Sequence, residues 1–304
     1  MSRKNNLLKL DPHNWFLIIS QENSKIGEVK MDKLQFRIDA EKCIQCDACV
    51  NDCPSEILHR ERAIPEAKEG ACLECQHCLA VCPEGAISVF GLKAENSLPL
   101  LEGTLPSYHQ MKTFVRGRRS VRQFLDEDIP TALIDGLLAD LAHAPTGCND
   151  RDLTFSLVPD RKTVGMLREK ILTSIELEQK KGTALDAFIE GALFAYRRDG
   201  KDFIFRGAPH LLIVSPGEKA HCGVEDAVLA LAYFELLAQS ANLGTTWCGV
   251  IKIIADMVPG TRELLGLPPD AYFYAMMFGK PAVSYARTVQ RDSAARIRRL
   301  LVTR

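Results

Sequence analysis

Eight of the chain's eleven cysteines fall between Cys43 and Cys82, in two copies of one spacing. Cys43-Ile-Gln-Cys46-Asp-Ala-Cys49-Val-Asn-Asp-Cys53-Pro54 returns 29 residues later as Cys72-Leu-Glu-Cys75-Gln-His-Cys78-Leu-Ala-Val-Cys82-Pro83. An apolar pair follows each copy, Ile57-Leu58 and Ala86-Ile87. Such self-similarity implies a duplicated half-module with pseudo-twofold symmetry. Cysteines three apart, repeated twice over, suit a metal site in a reducing compartment better than a disulfide framework.

The spacing C-x2-C-x2-C-x3-C-P is that of bacterial-type 4Fe–4S ferredoxins, and both copies match it. Three cysteines at two-residue intervals let a looping backbone offer three thiolates to three corners of one cubane. The fourth lies too far along to close the same loop and reaches across to the other cluster. Cys43, Cys46, Cys49 and Cys82 are therefore expected to hold one cluster, and Cys72, Cys75, Cys78 and Cys53 the other. The competing reading is zinc, which usually takes two C-x2-C pairs from separate knuckles, not a tight triplet with a trailing Cys-Pro. His77 reads as an exposed spacer, because the ligand count is complete without it. A module with two clusters is a one-electron relay, and a relay fused to a larger domain implies a redox acceptor in that domain.

The 304 residues leave room for that larger domain,. A formal net charge of −1 gives no whole-chain sign of nucleic acid or anionic membrane as a partner,. The apolar stretch Ala227–Phe234 is broken by Glu235 and preceded by Glu225 and Asp226, which excludes a membrane span there,. Arg3 and Lys4 precede only the short apolar run Trp15–Ile19, with no small-residue cleavage site after it, so a cytoplasmic location is expected,.

The expected organisation is an N-terminal extension over 1–35, with Trp15–Ile19 as a candidate strand, and a two-cluster domain over 36–92 closed by a strand at Ser88–Phe90. A linker follows over 93–112, rich in Pro and Gly, and then a larger domain over 113–304. In that domain Leu133, Ile134, Leu137, Leu138 and Leu141 recur at helical spacing and stop near Ala144-Pro145,. Thr154–Val158, Leu211–Val214 and Tyr272–Phe278 read as strands. Asp226–Asn242 is apolar on nearly every face and is expected to stop at Gly244, as a helix at the centre of a domain or a dimer. The class is α+β.

No G-x-G-x-x-G follows a strand, so a Rossmann fingerprint is absent. Arg118-Arg119-Ser120-Val121-Arg122-Gln123-Phe124 instead packs three guanidiniums and a hydroxyl into five residues, a donor set suited to phosphate,. Alone, such a cluster is as readily a solvated surface. It resembles the R-x-S-x-R/K-x-F opening of the nitroreductase family of FMN enzymes, and three further family segments follow in order. Ala144-Pro145-Thr146-Gly147-Cys148-Asn149 looks like the A-P-S/T-x-x-N loop. Leu243-Gly244-Thr245-Thr246-Trp247-Cys248-Gly249 is similar to the L-G-T-x-W-x-G turn. Phe278-Gly279-Lys280-Pro281, with Arg287 beyond, looks like the late G-x-P turn and its following basic residue.

Together with the cysteine repeat, the chain resembles ferredoxin–nitroreductase fusion proteins. The resemblance implies a ferredoxin-like domain followed by a mixed sheet flanked by helices, dimeric, with FMN at the subunit interface. By motif position, Arg118, Arg119, Ser120 and Arg122 would hold the phosphate, ribityl chain and pyrimidine edge, with Arg287 adding to the phosphate site. Pro145, Thr146, Gly147 and Asn149 would come from the partner subunit. The turn at Cys248-Gly249 would present a backbone amide near the flavin N5. The sequence departs from the family after Asn149, where Asp150-Arg151-Asp152-Leu153 replaces the usual x-Q-P-W. Arg151 is open to two readings, a contact to flavin or anionic substrate, or a surface pair with Asp150 or Asp152.

The function implied is an FMN-dependent oxidoreductase that reduces a small electron-poor acceptor such as a nitroaromatic. Its electrons would come from the clusters, from NAD(P)H, or from an external ferredoxin or reductase. Dehalogenation or enone reduction on the same fold, or an electron-transfer subunit serving a protein partner, are the alternatives. No side chain is expected to act as nucleophile. Cys148, Cys222 and Cys248 read as packing residues.

Overall fold

The computed structural model describes residues 34–291 and 294–301. The candidate strand Trp15–Ile19 lies outside the described residues. The chain divides into two compact units, 1–102 and 103–304.

In the first unit, each cysteine loop runs into a short helix, α1 (Ala48–Asn51) or α2 (His77–Val81). Strand β1 (Arg37–Ile38) pairs antiparallel with β4 (Ile87–Val89), and β4 with β5 (Leu92–Lys93); β2 (Leu58–His59) pairs antiparallel with β3 (Glu66–Ala67). The sequence repeat is also a backbone repeat. Gln45 and Glu74, Asp47 and Gln76, and Glu56 and Gly85 all have positive φ, each pair separated by the repeat length. Five of these six are not glycine, so the loop closure outweighs the local cost of the left-handed region. The apolar pairs after each copy do their work in the core, where Ile57, Leu58 and Ile87 are buried with Leu34, Leu79 and Val89. Cys53, Cys72, Cys78 and Cys82 pack against this cluster.

The second unit opens with α3 (Tyr108–Gly117), capped by a Ser107–Gln110 capping box, and α4 (Thr131–Asp140),. Strand β6 (Leu153–Val158) is followed by α5 (Arg161–Lys180), α6 (Ala187–Asp199) and β7 (His210–Pro216). Helix α7 (Gly223–Ser240), β8 (Gly244–Trp247), α8 (Gly249–Met257), α9 (Thr261–Leu264) and β9 (Tyr274–Gly279) complete it. The sheet order is β6-β7-β9-β8, every neighbour antiparallel. The mixed element comes from the segment before α4, where Ser120 makes a parallel bridge to Thr245 and Phe124 an antiparallel bridge to Pro281.

Strand alternation explains the two-sided core. Leu211, Ile213, Ala275 and Met277 face a cluster shared with α5, α6 and α8, whereas Leu212, Val214, Met276 and Phe278 face one shared with α4 and α7. A central strand covered on both sides reads as a continuous apolar run. Each fully buried Leu in it contributes about 1.5–3 kcal/mol.

Helix α7 ends before the expected stop at Gly244. Asn242 adopts φ 58°, its amide bonds to Gln239 O at 3.0 Å, and the Leu243 amide bonds to Ala238 O at 2.8 Å. That is a Schellman closure with asparagine in the left-handed place usually taken by glycine. Gly244 opens β8 instead, where a Cβ would lie 2.7 Å from Val121 Cβ. The glycine serves a close chain approach. Among the described residues no helix is long and apolar enough to cross a membrane.

Candidate functional site

The cysteines divide into two quartets around two cavities. Cys43, Cys46, Cys49 and Cys82 line one cavity with Asp47 and Pro65. Cys53, Cys72, Cys75 and Cys78 line the other with Pro54, Gln76 and His77. Each cavity thus takes three cysteines from one repeat and the fourth from the other. Two amides already address sulfurs, Glu74 N–H to Cys72 Sγ at 3.4 Å and Ala86 N–H to Cys82 Sγ at 3.3 Å.

This donor set fits a polynuclear cluster. Each cavity offers four cysteines, the ligand number of a cubane cluster,. Burial, reinforced by the neighbouring Cys75, Cys53 and Cys72, pushes the Cys78 thiol up to about 12. Burial also raises the Cys49 and Cys72 thiols. Thiolate ligation requires loss of these protons, so metal binding and proton release are coupled here. His77 Nδ1 lies 3.2 Å from Asp52 Oδ2, and the imidazole is half exposed.

In the second unit, three of the four sequence segments converge. Val121 N–H donates to Thr245 O at 2.8 Å, and Thr246 Oγ1 donates to Val121 O. Leu125 N–H donates to Lys280 O at 2.9 Å, and Ala282 N–H to Gln123 O at 2.8 Å. The arginine-rich segment therefore lies along β8 and the turn after β9. Arg118 Nη1 donates to buried Glu235 Oε1 at 3.0 Å, and Thr245 Oγ1 reaches the same oxygen at 3.4 Å. Arg119 and Ser120 are half-buried, and Arg122 is exposed with Nη1 3.4 Å from Ser120 O. A guanidinium carries five donors, so the Glu235 bond leaves Arg118 able to bind an anion as well.

At the head of α8 the Cys248 amide is already committed, donating to Ala275 O at 2.8 Å. Its side chain is buried, its thiol directed at Ile204 O at 3.7 Å and pushed up to about 12 by burial. Cys248 is a packing residue, and the first-turn amide of Gly249 is the donor this position can offer a ligand. A Cβ on Gly249 would lie 2.8 Å from Tyr274 Oη, so a larger residue there requires the tyrosine to shift.

The fourth segment lies elsewhere in the chain. Gly147 N–H donates to Asp226 Oδ1 at 2.9 Å, which ties Thr146–Asn149 to the first turn of α7. Asp226 and Glu235 are nine residues apart on that helix. At a rise of about 1.5 Å per residue their anchoring points stand roughly 13 Å apart along the axis. Pro145 is exposed, and Cys148, Asn149 and Arg151 have φ of 51°, 57° and 52°. Clustered left-handed residues that are not glycine commonly mark ligand-facing loops. Arg151 N–H donates to Thr146 Oγ1 at 3.0 Å. Asp150 Oδ2 takes both the amide and Nδ1 of His221, at 2.9 and 2.7 Å, and Asp152 Oδ2 takes the Lys219 amide at 2.8 Å. Arg287 is exposed in irregular chain beyond β9.

Sequence reasoning missed Asp226, Glu235 and the Asp150–His221 contact. The two helix acids carried a usable signal, since each interrupts an otherwise apolar helix and must have a buried partner.

The sequence profile of the nitroreductase family matches residues 115–280, and that of a 4Fe-4S dicluster domain matches residues 35–83. A protein of Methanothermobacter thermautotrophicus bearing the name NADH dehydrogenase/NAD(P)H nitroreductase is 27% identical over 173 residues, 55% of this chain and 75% of its own. A ferredoxin of Methanothermococcus thermolithotrophicus is 42% identical over 55 residues, 17% of this chain and 92% of its own. The crystal structure of a nitroreductase with bound FMN from Bacteroides fragilis superimposes with a TM-score of 0.49 at 21% identity, covering 61% of this chain and 97% of that one. The chain belongs to the nitroreductase family and carries a ferredoxin-type 4Fe–4S dicluster domain ahead of its nitroreductase domain.

Proposed function

We propose that the protein is an FMN-dependent oxidoreductase that reduces a small electron-poor acceptor, such as a nitroaromatic, with electrons delivered through two 4Fe–4S clusters. The observation that carries this reading is the presence, in one chain, of two separate cysteine-lined cavities and of an arginine-rich segment pinned along β8. When bound, the clusters supply one-electron relay and FMN supplies the conversion to two-electron reduction.

Cys43, Cys46, Cys49 and Cys82 hold one cluster, and Cys72, Cys75, Cys78 and Cys53 the other. Arg118, Arg119, Ser120 and Arg122 hold the FMN phosphate, ribityl chain and pyrimidine edge, with Arg287 added at the phosphate. Cationic donors at the pyrimidine edge favour an anionic ring. Gly249 offers a helix-terminal amide at the head of α8. Pro145, Thr146, Gly147 and Asn149 complete the site from a second copy of the chain. The separation of Asp226 from Glu235 along α7 supports this, because one chain's loop and its own arginine segment are anchored at different helix turns. Val224 and Val228, one turn apart on α7, expose an apolar edge that a homodimer would cover. NAD(P)H remains an alternative donor.

The test is anaerobic turnover. Full-length protein supplied with a reduced low-potential donor should convert a nitroaromatic to its reduced product. Persistence of reduced flavin with every small acceptor, and its oxidation by a protein partner alone, would overturn the enzymatic reading.

A further inference from the structure

Eight of the chain's eleven cysteines line the two cavities and Cys248 is sealed in the core, which leaves Cys148 and Cys222. These two lie together. A Cβ placed on Gly147 would stand 2.8 Å from Cys222 Sγ and 2.9 Å from Cys222 Cβ, so the Cys222 side chain fills the space beside Gly147. Cys148 is the next residue, one Cα step of about 3.8 Å away. The charge of Cys222 is among those that act on the Cys148 thiol, so the two side chains are neighbours. Both thiols are free, Cys222 exposed and Cys148 half-buried.

We propose that Cys148 and Cys222 are a thiol modification site, forming a reversible intramolecular disulfide by exchange with small-molecule disulfides of the glutathione class. The exposed Cys222 reacts first. Its thiolate attacks one sulfur of the incoming disulfide, that S–S bond breaks, and the departing thiolate takes up a proton. Cys148 then loses its proton and attacks Cys222 Sγ in the mixed disulfide, expelling the second small thiol. Two protein thiols are oxidised and one small disulfide is reduced to two thiols.

The order of attack follows from the surroundings. Burial, then the negative charges of Asp150, Cys222 and Asp226, raise the Cys148 thiol, which makes it the poorer first nucleophile,. Cys222 ends the chain leading into α7, where its carbonyl accepts the Asp226 amide at 2.8 Å. The bridge therefore adds a covalent tie beside the Gly147–Asp226 hydrogen bond. It fixes the loop Ala144–Asn149 on the N-terminal end of α7.

The experiment uses full-length, cluster-loaded protein under anaerobic conditions with excess glutathione disulfide, followed by alkylation, intact mass and peptide mapping. The expected result is loss of two hydrogen masses, with one cross-link assigned by fragmentation to Cys148 and Cys222. Cys148→Ser should leave a stable glutathione adduct on Cys222, and Cys222→Ser should take up none. Wild-type protein that keeps a glutathione adduct on Cys222 beside an alkylated Cys148 would overturn the proposal. So would a cross-link involving Cys248 or a cavity cysteine, or full alkylation of both thiols. None of these readouts depends on catalytic turnover.

Discussion

Glu235 and Arg118 are paired at 3.0 Å across the interface between helix α7 and the arginine-rich segment, with the carboxylate buried and the guanidinium half-buried. The pair joins two of the segments singled out by sequence, and it fixes where one arginine of the proposed phosphate site can stand. Glu235→Ala leaves that arginine without its anchor and Thr245 Oγ1 without an acceptor. A loss of about 3 kcal/mol is expected. Urea unfolding followed by near-ultraviolet circular dichroism measures it. Glu235→Gln, which keeps an acceptor for both partners, should lose clearly less.

The crossed quartets predict a specific pattern of loss. Cys82→Ser should empty the site formed with Cys43, Cys46 and Cys49, and Cys53→Ser the site formed with Cys72, Cys75 and Cys78. Each variant should lose about four irons and keep about four, if the fourth ligand comes from the opposite repeat. Iron analysis with electron paramagnetic resonance of the reduced protein checks it. Loss of the cluster from the variant's own repeat would show uncrossed ligation.

His210 sets an acid limit on the nitroreductase domain. Its Nε2 accepts the Ile129 amide at 2.9 Å, its ring stacks on Phe278 at 4.9 Å, and burial holds its pKa below the usual value. The folded state therefore keeps the imidazole neutral, while the unfolded chain protonates it near pH 6.5. The unfolded state binds more protons, so this contribution is complete above about pH 6.5 and is lost as pH falls below it. Thermal unfolding from about pH 5 to 8 should show the midpoint falling on the acid side. His210→Gln should flatten that slope.

Gly244 is tied to Val121 by shape. A Cβ there would meet Val121 Cβ, Cγ1 and Cγ2 at 2.7–2.8 Å. Gly244→Ala should cost about 1–3 kcal/mol by overpacking. Val121→Ala, which removes two of the three contacts, should recover part of it in a double-mutant cycle read by urea unfolding. Full additivity of the two changes would remove the contact from consideration.

Local patterns made much of this legible. The strict cysteine spacing gave the duplicated module because a loop of that length admits few closures. Strand-length apolar runs with turn residues at their ends gave β6, β7 and β9. The end of α7 departs from the glycine stop because Asn242 satisfies the same left-handed geometry and Gly244 answers a distant contact with Val121. The roles of Asp226, Asp150 and His221 were hidden for a related reason. Their partners lie 71–79 residues away in the chain, and no local period encodes such pairings.

The central claim is that thiolate quartets and a flavin site coexist in one chain. Its most direct measurement is the visible spectrum of anaerobically purified protein, taken with iron, sulfide and flavin determinations on the same sample. About eight irons, eight sulfides and one FMN per chain are predicted from two cubanes and one flavin site. Colourless protein, or protein carrying only zinc, would contradict the claim outright, and iron without flavin would contradict its second half.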